Sequence, residues 1–108
     1  MAGAAGGRAE EKIISRHAGT VAWLRERGVE GEVIPQLDES TIHEGDILYG
    51  VLPVPLIATA LERGARVILT VLPQVVFSQR GIELSPAEMD AAGAKLVEVR
   101  RLELEEVR

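Results

Sequence analysis

Residues 45–71 read GDILYGVLPVPLIATALERGARVILTV, and this stretch decides the fold. A Gly45-Asp46 turn leads into a short strand, Ile47 to Gly50, whose adjacent apolar residues Ile47 and Leu48 suit a strand buried on both faces. From about Val54 to Arg63 the apolar residues Leu56, Ile57, Ala60 and Leu61 recur at helical spacing. Pro55 suits the first turn of that helix and Gly64 its exit. Arg66 to Val71 is then a β-branched run too short for a core helix, and it is predicted as a buried strand at the centre of the sheet.

The same alternation extends to both sides. Upstream, Lys12 to Ser15 reads as a strand and Thr20 to Arg27 as a helix stopped by Gly28, with Val21 and Leu24 facing the core. Glu32 to Pro35 reads as a further short strand, followed by a polar loop from Gln36 to Glu44. Downstream, Ser85 is the N-cap of a helix, Pro86 follows it, and Glu88 is placed to complete a capping box. Leu84 and Met89 have the spacing of a hydrophobic staple. Gly93 ends this helix, and Lys95 to Leu104 reads as a last strand with a shift of phase at Arg100-Arg101 that suggests a bulge or a pairing edge. Five strands alternating with three helices predict an α/β fold, a small Rossmann-like, mostly parallel sheet with helices on both faces and right-handed crossovers. Residues 11–108 form one domain in this reading, and residues 1–10, mainly Ala and Gly, a disordered N-terminal tail.

Composition narrows the function. A net charge of -5 over 108 residues argues against a long nucleic-acid track, although a few Arg side chains in one cleft could still hold a few phosphates. The absence of cysteine and of a signal-like leader points to the cytoplasm, and no apolar run approaches the roughly 20 residues of a membrane helix. Neither histidine has a partner at metal-ligand spacing and the acidic residues are dispersed, so no metal or other cofactor is expected. The glycine patterns of nucleotide triphosphatases and dinucleotide enzymes are missing.

In a doubly wound sheet the ligand crevice lies beyond the carboxyl ends of the strands, where the strand order reverses, here between the first and third strands. The turn after the first strand is Ser15-Arg16-His17-Ala18-Gly19-Thr20, which sets a guanidinium, an imidazole and hydroxyls beside a helix N-terminus, a natural anion site. Arg16 can grip a phosphate with two hydrogen bonds, Gly19 admits close backbone approach, Thr20 can cap or donate, and His17 can shuttle a proton. Other roles are open: His17 as a loop residue bonded to backbone, and Arg16 paired with Asp38 or Glu39. Gly50, at the start of the neighbouring loop, would let a ligand approach the backbone. The apolar segment Leu72 to Gly81 is expected to cover either a second copy, with Phe77 packed in the interface, or the ligand, with Arg80 as a further phosphate contact; for Phe77 the interface is favoured, and for Arg80 both readings stay open. Trp23 could stack on a base but more commonly such a residue packs in a core; His43 has no companion and is set aside.

The ordered combination of Ser15-Arg16-His17-Ala18-Gly19-Thr20, Trp23-Leu24, Gly28, Leu37-Asp38, Gly45-Asp46, Gly50, Leu52-Pro53-Val54, Arg63-Gly64-Ala65, Arg80-Gly81, Glu83-Leu84, Met89 and Gly93-Ala94 resembles the small CRISPR-associated Csx family numbered sixteen. The resemblance spans about residues 12 to 99. It implies a protein of type III CRISPR antiviral defence, with a fold like the CARF Rossmann domains that sense cyclic oligoadenylate. It also implies a metal-independent ring nuclease acting on cyclic tetra-adenylate. A ribose 2′-hydroxyl attacks the adjacent phosphate and linear di-adenylate results. On this resemblance Arg16 stabilises phosphate charge and His17 is general acid or base, with Ser15, Gly19, Gly50 and Arg80 shaping the ring site; Thr20 in the first turn, and Leu52 and Pro53 in the loop after Gly50, are further expected ligand contacts by their place at the crevice. The near two-fold symmetry of the ring implies a homodimer. One departure stands out: the family pattern often has a polar residue such as His after the Leu-Pro-Val stretch, and this chain has Pro55. A binding module that captures the ring without cutting it is the alternative.

Overall fold

The sheet is organised around the pairing of two strands from distant parts of the chain. β1 (Glu11–Ile14) lies parallel to β3 (Ile47–Gly50), with Ile13 opposite Tyr49 and Ile14 opposite Gly50. The computed structural model describes residues 10–72 and 84–108. Outside β1 lies β2 (Glu32–Ile34), and outside β3 lies β4 (Arg66–Val71), both parallel to their neighbours. β5 (Lys95–Val99) closes the far edge antiparallel to β4, giving the order β2-β1-β3-β4-β5. The mostly parallel five-stranded α/β sheet is therefore as the sequence predicts. β4 is not its centre: β3 is, because β5 adds outside β4. β4 reads as a central strand because it too has a neighbour on each side.

Alternation along each strand sends side chains to two separate cores. Ile14, Leu48 and Val67 pack with Ile57 and Ala60 of α2 (Val54–Glu62) on one face. Ile13 and Tyr49 pack with Trp23 and Leu24 of α1 (Ala18–Glu26) and with Met89 of α3 (Pro86–Ala91) on the other. Helices thus cover both faces. Trp23 is fully buried, its indole Nε1–H donates to Asp90 Oδ1 at 2.8 Å, and the Arg27 guanidinium lies 3.8 Å above its ring. The side chain ties α1 to α3 and is closed to a ligand base. α3 carries the expected capping box, Ser85 accepting from the Glu88 N–H and Glu88 from the Ser85 N–H.

Two boundaries differ from expectation by more than one residue. α1 starts at Ala18, so Thr20 sits in its first turn and does not cap it. The N-cap residue is His17. β5 ends at Val99, opposite Val67 near the start of β4, and the chain beyond has no strand to pair with. Residues 100–108 are therefore irregular, with Leu102 packed against the α2-side core. Residues 1–9 of the expected tail, 1–10, lie outside the described residues, as do Phe77 and Arg80; Glu10 is described, and its N–H donates to Asp46 Oδ1. Among the described residues no helix is long and apolar enough to cross a membrane.

At the amino ends of β1 and β3, Lys12 and Asp46 form a buried ion pair at 3.0 Å. Lys12 Nζ also donates to the Thr41 carbonyl, and Asp46 accepts from the backbone N–H groups of Glu10 and His43. Burial pushes the Asp46 carboxyl upward, but these backbone donors and the Lys12 ammonium outweigh it and hold its pKa below the ordinary value. A depressed folded pKa contributes stability in full above the unfolded value of about 3.9, and that contribution is lost as pH falls through the folded value. Asp46→Asn strands a buried ammonium and is expected to cost about 3–5 kcal/mol at neutral pH. Urea unfolding at pH 7, repeated down to pH 3, checks this: the wild-type advantage over the variant should shrink at the acid end.

Candidate functional site

The strand order reverses between β1 and β3, and a cleft of about 350 Å³ opens there beyond their carboxyl ends. Ser15, Arg16, His17 and Thr20 line one side, Gly50 and Val51 the middle, Thr70 and Leu72 the other side, with Ile14 and Pro35 completing the wall. None of these residues is acidic, in a chain with 17 carboxylates. A larger depression of about 590 Å³ lies elsewhere, but there Arg100 and Arg101 are offset by Glu62 and Glu103.

Local sequence explains the shape of the basic side. The Ser15 hydroxyl accepts from the His17 backbone N–H at 3.0 Å, folding the turn so that the His17 carbonyl receives the Val21 N–H and starts α1. The first turn of α1 holds no acidic residue, and its positive end opens on the cleft beside Arg16 and His17. Arg16 is exposed and donates to the Gln36 side-chain oxygen at 3.2 Å. Asp38 instead caps the short 3-10 turn Glu39–Thr41 by accepting from the Ser40 N–H and hydroxyl, so the Asp38 alternative for Arg16 is not realised. Among the described residues Arg16 forms no ion pair, and its side-chain partner is the neutral Gln36 amide.

Gly50 is required by the fold as well as by the cleft. It has φ +137°, and a Cβ on it would sit 2.2 Å from the Ile14 carbonyl oxygen. The close approach that the glycine permits is to the backbone of β1, at the point where the two strands part.

Of the residues implicated by the sequence, Ser15, Arg16, His17, Thr20 and Gly50 come together, and Gly19 lies in the same helical turn. Leu52 and Pro53 do not join them: Leu52 is buried in the α2-side core, and Pro53 is the N-cap residue of α2, beside a separate depression with Leu37 and Pro55. His43 lies at the opposite end of the sheet, by Asp46. Sequence reading missed Thr70, whose Oγ1 is buried and has no hydrogen-bond partner. Leaving a buried hydroxyl unpaired costs roughly 1–3 kcal/mol. The available signal was the lone polar residue in the apolar run Val67 to Leu72.

A family model described as "Putative CRISPR-associated protein (Cas_VVA1548)" matches residues 12–102. The chain belongs to this CRISPR-associated family. No curated protein and no solved structure matches it. The span shared with the CRISPR-associated family takes in the Ser15 to Thr20 turn, Gly50 and Thr70, so every side of the cleft belongs to the family region.

Two substitutions separate fold from site. Gly50→Ala must push β1 from β3 and is expected to destabilise the protein by about 2 kcal/mol or more. Arg16→Ala, at an exposed position with one hydrogen bond, should change stability by no more than about 0.5 kcal/mol. Urea denaturation followed by circular dichroism reads both.

Proposed function

We propose that this CRISPR-associated protein is a metal-independent ring nuclease that opens cyclic oligoadenylate, most simply cyclic tetra-adenylate, in type III CRISPR signalling. The observation that carries the reading is the cleft at the switch point, where Arg16, His17 and the α1 N-terminus converge and no described lining residue is acidic, in a chain of net charge -5. A phosphodiester carries a single negative charge and needs little more than this to be held. The resemblance to the Csx family numbered sixteen and the membership in a CRISPR-associated family both favour this ligand.

The chemistry is a transesterification. A ribose 2′-oxygen bonds to the adjacent phosphorus, the phosphorus to 5′-oxygen bond breaks, and a 2′,3′-cyclic phosphate and a free 5′-hydroxyl result. The proton leaving the 2′-hydroxyl and the proton gained by the 5′-oxygen balance. His17 performs one of these transfers as general acid or base, and Arg16 offsets the charge that builds on the phosphoryl oxygens. A 350 Å³ cleft lies at the small end of ligand sites and suits one nucleotide, not the whole ring. Two clefts related by a two-fold axis, in a homodimer, would act on opposite sides of cyclic tetra-adenylate and release two linear di-adenylates.

The test is incubation with cyclic tetra-adenylate in EDTA, with products separated by chromatography. Wild type should yield linear di-adenylate. His17→Ala should be slower by about 100-fold or more while keeping much of the affinity. An intact ring retained by wild type would contradict the enzymatic reading in favour of capture alone, and a ring neither bound nor cut would contradict both.

A further inference from the structure

Thr70 is the penultimate residue of β4, and its side chain is more than nine-tenths buried. β4 outlasts β3: Gly50, the last residue of β3, pairs with Leu69, so Thr70 lies one step past the end of its neighbour and reaches the cleft. Its backbone is held in the β4-β5 ladder opposite Leu96. Its hydroxyl has no partner, although the fold satisfies its other buried polar side chains, such as Lys12 and Asp46. A valine would fill the same space in a β-strand without an orphaned hydroxyl, so the threonine is unexplained by packing.

The surroundings identify what the hydroxyl meets. Arg16, His17 and the α1 N-terminus hold the positive charge on one side of the cleft, and Thr70 faces them from the other, between the apolar residues Val51 and Leu72. A nucleotide with its phosphate on the basic side presents its nucleoside to the apolar side. Sugars and bases carry both donors and acceptors, and a threonine hydroxyl can serve either. Resting on the reading of the cleft as a cyclic-oligoadenylate site, we propose that Thr70 is a specificity-determining residue whose hydroxyl hydrogen-bonds the nucleoside of the nucleotide held at Arg16 and His17. Thr70 takes no part in proton transfer. It supplies binding common to ground and transition states, so its loss raises KM and leaves kcat nearly unchanged.

Thr70→Val keeps the shape and removes the hydroxyl, and Thr70→Ser keeps the hydroxyl. Binding and EDTA-resistant cleavage of cyclic tetra-adenylate are measured for both, together with thermal unfolding of the ligand-free proteins. The valine variant should bind the ring about tenfold more weakly, cut it at saturation within about threefold of the wild-type rate, and unfold at or above the wild-type temperature. The serine variant should retain affinity within about threefold. Wild-type binding that Thr70→Val leaves unchanged overturns the role of Thr70 while the proposed function stands. Equal losses in both variants, or a valine variant that unfolds earlier without ligand, also overturn it. Failure of the wild-type protein itself to bind the ring removes the proposed function and this inference together.

Discussion

The pairing of β1 with β3 is the constraint on which the rest of the structure depends. It is fixed at both ends by different physics. At the amino ends, Lys12 and Asp46 exchange a buried ion pair, and backbone donors from Glu10 and His43 satisfy the remaining capacity of the carboxylate. Breaking such a pair leaves a charge with nowhere to go, which makes the register hard to slip. At the carboxyl ends, Gly50 lets the strands close to a distance that any side chain would forbid. Once β1 and β3 are locked, β2 and β4 must add on opposite sides, and the chain leaves the sheet in opposite directions beyond Ile14 and Gly50. The cleft is the consequence.

The charge at the cleft differs from that of the chain as a whole. A net charge of -5 repels polyanions in general, yet the described residues that line this opening include Arg16 and no carboxylate. On the proposed function, a locally acid-poor cleft in an acidic chain would favour a compact anion over a long nucleic acid, through placement and not through the number of cations.

The sequence revealed local rules better than distant neighbours. The helix over 54–62, the capping box at Ser85 and Glu88, and the glycine stops are written in residues close along the chain, and all were legible. The Ser15 to Thr20 turn was legible for the same reason. The edge position of β5 was harder, because an apolar strand reads alike whether a further strand pairs outside it or not. β4 looked central on that account, and the strand over residues 95–104 looked longer than its pairing allows. Leu52 was assigned to the ligand because it lies in a loop next to Gly50, but it is buried in the α2-side core. Thr70 was overlooked because an unsatisfied hydroxyl is a property of three-dimensional surroundings, and a threonine in a strand attracts no notice.

The central claim is that one cleft, between the Ser15 to Thr20 turn and the end of β4, receives the nucleotide. Backbone amide NMR spectra recorded during titration with cyclic tetra-adenylate test it most directly. Shift changes should concentrate at residues 15–20, at Gly50 and Val51, and at residues 70–72. Changes centred instead on Ala58, Leu61, Arg101 and Leu102, or no changes at saturating ring, would contradict it.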